Sequence, residues 1–365
     1  MTVPTEGQAL THLTRSVASA KKLPQGKLVG RYGVSQQGVA EIVAYHEASK
    51  SSFHISDVAA VAPATGRSLT VQRLSLANLS ATALSPSTSA SNLTIDGTRD
   101  VAADVNDANF TAGGIQSLDV AGNLMAVAVS ATPKTARGVV AFYNISATGA
   151  LTFSKKVLVG ALPDSVAFSP DGGSLVVANE GELSNTFATD GIDPEGSVSI
   201  VRIVNGVPAD TAIQLSFTDF NTGASRSVEL PSGVRIGRPG ATVAQDLEPE
   251  FIAISADNRN AFVTLQENNA IAVVDLPNAR IDRIFALGFK DHGLARNAFA
   301  PSDRATTLNP PQLITIPNVF GVYMPDTAAS FTAGGKTYIL AANEGDDRDD
   351  FLASAETARL SSLTL

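Results

Sequence analysis

The chain has 365 residues, 44% of them hydrophobic and 17% charged, with a net charge of -9 and a pI near 5.0. That much apolar material rules out global disorder, and the acidic balance argues against nucleic acid as a partner, because a phosphate backbone needs clustered Lys and Arg. The absence of Cys removes disulfides, thiolate metal sites and thiol nucleophiles from consideration.

Residues 1–26 are polar and aperiodic and read as an N-terminal tail. They lack the apolar centre of a signal peptide, so either a leader has been removed or the protein is not exported. Residues 27–365 read as one β domain. Short β-branched runs follow one another, separated by Gly, Pro, Asn, Asp and Ser: GKLVGRY, AEIVAYH, GRSLTVQRLSL, NLMAVAVSA, GVVAFYNIS, GSVSIVRIV and NAIAVVDL. The longest apolar stretch, 124–129, is too short to cross a bilayer, so no membrane insertion is expected.

Internal repetition sets the expected architecture. Three segments align: LPDSVAFSPDGGSLVVANEGE from Leu162, EPEFIAISADNRNAFVTLQENN from Glu248 and MPDTAASFTAGGKTYILAANEGDD from Met324. Each holds a Pro-acid pair, an apolar strand, a tight turn, a second apolar strand and a polar, Glu-bearing loop. Fainter copies begin at Glu41 and Ile115. Further strands follow where the chain continues, and four antiparallel strands per unit make a propeller blade. Stacking such units radially buries faces that one unit leaves exposed. The reading is therefore an all-β propeller with five blade starts, near residues 41, 115, 165, 251 and 327, the fifth carrying two strands. The strand at 27–32 is expected to close the last blade from outside, and further blades would be absent, removed or supplied by a second chain. Long insertions are expected at 218–247 and 288–323.

The motifs LPDSVAFSPDGGSLVVANEGE, DPEGSVSIV, EPEFIAISADNRNAFVTLQENNAIAVVDL, LGFKDH and MPDTAASF with AANEGDDRD, in this order, resemble the choice-of-anchor I family, which is related to YVTN-type propellers of bacterial surfaces. The resemblance implies a propeller, an extracytoplasmic setting (secreted, periplasmic or cell surface) and a family range extending beyond this C-terminus. Family members sometimes carry an alkaline phosphatase label or a fused phosphoesterase domain, but no catalytic motif transfers to residues here.

Blade geometry predicts a site. The loop leading into the first strand of a blade lies on the same rim as the loop between strands two and three. Asp164, Glu250 and Asp326 should therefore share a face with Glu180, Glu267 and Glu344, as a carboxylate collar at the channel mouth. The turns at Asp171, Asp257 and Gly334 go to the opposite face. Carboxylates in loops suit Ca²⁺, which takes six to eight oxygen ligands. The candidate metal residues are Asp164, Glu180, Glu182, Asp193, Glu195, Glu250, Glu267, Asp326, Glu344 and Asp346, with Asp190, Asp347 and Asp349 nearby. The plainer alternative is that Asn179, Asn343 and their acidic neighbours hydrogen-bond turn amides or solvate the surface. His46 and His54 flank a hairpin and are expected at the surface, and His292 lies in the second insertion. No GxSxG elbow, phosphate loop or dinucleotide fingerprint occurs, so no organic cofactor is expected. The leading expectation is a binding or scaffold module with a protein or surface partner and Ca²⁺ ordering its loops. The alternatives are a metal-dependent phosphoesterase and a structural subunit of a surface layer or filament.

Overall fold

In the computed structural model the described residues are 28–32, 42–59, 67–80, 82–84, 91–302, 310–349, 351–352, 357–358 and 362. Four blades carry four strands each. The first contains β1 (Val43–His46), β2 (Ser51–Ala59), β3 (Arg67–Ser75) and β4 (Ile95–Asp100), paired in that order. The second contains β5 (Ala112–Ala121), β6 (Leu124–Ala131), β7 (Arg137–Ile145) and β8 (Leu151–Ala161).

In the third blade, β9 (Pro163–Phe168), β10 (Ser174–Asn179) and β11 (Ser197–Val204) are followed by a divided outer strand. β12 (Val207–Pro208) pairs with one end of β11 and β13 (Ile213–Ser216) with the other. The fourth blade contains β14 (Pro249–Ile254), β15 (Asn260–Leu265), β16 (Ala270–Asp275) and β17 (Arg280–Ala286). A small ladder of β18 (Lys290–Asp291) and β19 (Phe320–Gly321) precedes a fifth sheet of β20 (Pro325–Ala333) and β21 (Lys336–Asn343). All five expected blade starts coincide with first strands.

The radial arrangement follows from which strands touch. β5 packs on β9, β9 on β14 and β14 on β20, so the first strands succeed one another around an axis. Strand periodicity explains how one sheet serves two neighbours. Along β6, Met125, Val127 and Val129 join Phe53, Val71 and Ile55 of the first blade, while Leu124, Ala126 and Ala128 join Val166, Leu175 and Val177 of the third. Along β10, Leu175 and Val177 face the second blade, and Val176 and Ala178 face the fourth. Each fully buried Val or Leu contributes about 1.5–3 kcal/mol. These strands therefore read as continuous apolar runs rather than alternating ones.

Three details depart from or add to the sequence reading. Residues 28–32 form no strand on a last blade. They lie against the chain leading into β4, with Leu84 N–H donating to the Leu28 carbonyl at 2.7 Å and the Asn92 side chain bonded to Arg31 N–H and the Val29 carbonyl. His46 and His54, expected at the surface, are buried, because each ring finds a polar partner: Asn123 Oδ1 at 3.0 Å for His46 and Gln72 Oε1 at 3.0 Å for His54. Between β13 and β14, the chain at 218–247 folds back on the third and fourth blades and, with Phe217 just before it, adds Phe220, Val234 and Val243 to their shared core.

A carboxyl-rich rim at one end of the axis

The rim is built by a backbone arrangement repeated in two blades. Leu162 and Met324, each just before the proline that opens β9 or β20, adopt positive φ angles of 45° and 50°. This is strained backbone for non-glycine residues. The Leu162 carbonyl then accepts Glu180 N–H at 2.9 Å, and the Met324 carbonyl accepts Glu344 N–H at 3.0 Å, so the start of strand one is tied to the exit from strand two. In the third blade Asn179 reinforces the junction, accepting Gly160 N–H at 3.0 Å and donating to Ser199 Oγ at 2.8 Å. Asn179 thus plays the structural part considered for it. Close approach needs glycine at Gly196, where a Cβ would run into the Leu247 carbonyl oxygen.

On this frame, seven of the ten candidate residues fall within electrostatic reach of one another. Asp164 and Glu250, from adjacent blades, share a hydrogen bond between carboxyl groups. Burial pushes Asp164 up to about 7, with the charges of Asp326 and Glu182 adding to the push and the Glu250 bond opposing it. Burial also holds Glu250 well above the carboxylate range, helped by Asp164, Glu267, Glu248 and Asp326. Glu180 is raised in the same way, by burial first and then by Glu250, Asp164 and Glu182. Glu267, only 3% exposed, is pushed up to about 7 by burial and by Asp346, against its own backbone amide and Arg348. Its Oε2 is buried and accepts no hydrogen bond. The physical cause is common to all: carboxyls at a narrow mouth are surrounded by protein, and like charges drawn together favour the neutral form.

The remaining three candidates stand apart. Asp193 turns to Arg238 in a buried ion pair, and Glu195 and Glu344 are exposed. His292 bonds the Asn297 carbonyl through Nδ1 at 2.7 Å and packs on Phe299.

Four participants were invisible to the blade argument. Glu248 precedes the Pro-acid pair of β14, and Asp246 lies in the short helix before it; both are buried. Arg348, from the loop after β21, enters between them, 3.0 Å from Glu248 and 3.8 Å from Asp246. Burial acts to weaken the Arg348 proton, and Glu248, Asp246 and Glu267 more than reverse that. Asp246 also accepts Gly237 and Arg238 N–H at 2.9 and 3.0 Å, which ties the middle of the 218–247 segment to its own end at the rim. Lys134, from the loop between β6 and β7, pairs with Glu182 and lies 4.3 Å from the Phe351 ring centre. Arg348 thus touches the fourth blade and Phe351 the second. A signal available in sequence was Glu248 itself, where the other two repeats carry Leu and Met.

Among the described residues no group of three or more Asp, Glu or His side chains is arranged to hold a metal ion. The carboxyls meet in pairs, and what the arrangement offers is a concentration of acid with few cations inside it.

Radially stacked four-stranded antiparallel sheets around an axis define a β-propeller. The chain belongs to the choice-of-anchor I domain family, which it matches over residues 36–364. That membership suggests a surface or secreted protein. No helix among the described residues is long and apolar enough to cross a membrane.

No curated protein matches the chain. Among solved structures it is similar to a putative 6-phosphogluconolactonase from Bacteroides uniformis, at 12% identity and a TM-score of 0.39, covering 72% of this chain and 60% of that one. It is also similar to the hydrazine synthase of Kuenenia stuttgartiensis, at 8% identity and a TM-score of 0.40, covering 82% and 70%. A third likeness is the WD40 domain of Toxoplasma gondii coronin, at 13% identity and a TM-score of 0.38, covering 72% and 49%.

Proposed function

We propose that this protein is a surface or secreted propeller module that binds a cationic partner through its carboxyl-rich rim. What supports this reading is the imbalance inside the rim. Asp164, Glu180, Glu250 and Glu267 come from the third and fourth blades, whereas Arg348, Arg238 and Lys134 pair with Glu248, Asp193 and Glu182, and Arg235 donates to the Glu267 backbone carbonyl. Like-charged carboxyls held this close relax by taking up protons or a cation. A positively charged group offered by a ligand would lower the energy of the whole set. Arg348 is the protein's own example of such a group seated among these acids. Ca²⁺ is the metal such oxygen donors suit, and an organic polycation offers the same charge without demanding several ligands at one point.

Calorimetric titration with Ca²⁺ and with spermine, on the wild type and on the double variant Asp164→Asn, Glu250→Gln, tests the reading. Binding of either cation that weakens at least tenfold in the double variant is expected. Failure of both cations to bind the wild type, or binding indifferent to the two substitutions, would overturn it.

A further inference from the structure

The LGFKDH motif brings Lys290 and His292 to the small ladder between the fourth blade and the fifth sheet. The two residues are two apart in extended chain, so their side chains leave on one face. Lys290 stands opposite Gly321 in the ladder, and His292 N–H donates to the Val319 carbonyl at 2.9 Å. Gly321 brings no side chain to that face, where a Cβ would lie 2.9 Å from His292 Nε2 and 3.8 Å from Lys290 Cβ. The space left open is a cavity of about 520 Å³ lined by Lys290, His292, Asn297, Gly321, Tyr323 and Asn343. Its volume is that of a small-molecule site. Among the described residues no Asp or Glu lines it, on a chain whose net charge is -9.

The groups around this cavity are held in place and left without partners. His292 Nδ1 lies 2.7 Å from the Asn297 carbonyl, which can only accept, so Nδ1 carries the proton. The ring also packs on Phe299, with centres 4.2 Å apart. Nε2 is thereby aimed over Gly321, and it has no hydrogen bond among the described residues. Tyr323 is fixed by its N–H on Asn269 Oδ1 at 2.8 Å, and Asn343 by its place opposite Pro325 in the fifth sheet. Lys155 and Lys156 each rest on an aspartate, whereas Lys290 Nζ has neither an ion pair nor a hydrogen bond among the described residues. One positive charge and several groups able to exchange hydrogen bonds therefore border a single space.

We propose that this cavity binds a sugar acid of the hexuronate class, its carboxylate on Lys290 and its hydroxyls on His292 Nε2, Tyr323 and Asn343. A hydroxyl both donates and accepts, which matches an imidazole nitrogen, a phenol and a side-chain amide. The single ammonium balances one negative charge. A phosphate ester brings about 1.5–2 charges at pH 7, and a neutral sugar leaves Lys290 without a counterion. The inference goes beyond the cation-binding reading of the rim, since Asp164, Glu180, Glu250 and Glu267 do not line this cavity.

Calorimetric titration of the full chain with glucuronate, galacturonate, glucose, acetate and glucose 6-phosphate tests the assignment. At least one uronate is expected to bind, with glucose, acetate and glucose 6-phosphate each at least fivefold weaker. Lys290→Met, at an exposed position, should weaken uronate binding tenfold or more, and Lys290→Arg, which keeps the charge, should hold it within threefold. Gly321→Ala, which sets a methyl group against His292 Nε2 and leaves every polar side chain in place, should weaken it at least fivefold at an unchanged melting temperature. Absence of binding by both uronates, glucose or acetate binding as tightly as a uronate, tighter binding of glucose 6-phosphate, or uronate binding indifferent to Lys290→Met overturns the assignment. None of these outcomes depends on whether Ca²⁺ or spermine binds the rim.

Discussion

The two ends of the propeller axis treat their acidic residues in opposite ways. At the turn face, Asp171 and Asp257 sit in matching hairpin turns, each taking a serine hydroxyl at 2.6 Å and a backbone N–H near 3 Å. Those bonds hold both carboxyls below the usual range. At the rim, burial and crowding hold Asp164, Glu180, Glu250 and Glu267 above it. Both sets come from the same repeat, one near each end of a hairpin. Carboxylates supplied with donors serve as turn locks. Carboxyls buried beside other carboxyls and gathered around an axis make a face that attracts positive charge.

The largest difference between the faces should follow from removing the guanidinium seated against Glu248 and Asp246. Arg348→Met leaves Glu248 and Asp246 buried without it and is expected to cost about 3–5 kcal/mol at pH 8. The loss should shrink at pH 5, where protons replace the missing charge, and chemical denaturation at the two pH values measures both. A loss that is the same at both pH values would place Arg348 outside the charge balance of the rim.

Next comes the pH dependence of the wild type. Asp164 and Glu267 titrate near 7 when folded and near 4 when unfolded, so the folded state holds protons that the unfolded state releases. Their contribution to stability is complete below about pH 4 and is lost as pH rises through about 7. The melting temperature should fall from pH 5 to pH 8, and Asp164→Asn with Glu250→Gln should flatten that fall. A melting temperature that rises over this interval would reverse the assigned sign.

The smallest effect belongs to the turn face. Asp171 is depressed when folded, so its contribution is present above about pH 4 and disappears on acidification. Because this aspartate is exposed, Asp171→Asn should cost less than about 1 kcal/mol at pH 7 and less again at pH 3. A larger loss at pH 3 than at pH 7 would contradict the lock.

How much of this was legible beforehand depends on how local each feature is. The blade starts were readable because the Pro-acid pair, tight turn and Glu loop recur within some twenty residues. The common rim of Asp164, Glu250, Glu180 and Glu267 followed from blade topology alone. Arg348 was not legible as a partner of Glu248, since 100 residues separate them and the contact depends on how the loop after β21 returns across the rim. Lys134 and Glu182 meet in the same manner across 48 residues. The burial of His46 was hidden because its partner, Asn123, belongs to the next blade. Glu344, expected in the collar, and Glu195, a candidate from the neighbouring loop, have exposed side chains, because a loop position settles the rim but not the direction of a side chain.

The most direct test of the rim is infrared difference spectroscopy of the carboxyl C=O stretch between pH 5 and pH 8. Protonated carboxyl absorption that persists at pH 6.5 and is reduced in Asp164→Asn, Glu250→Gln is the predicted result. Complete ionisation of every carboxyl by pH 5.5, or a persistent band untouched by those substitutions, would contradict the account.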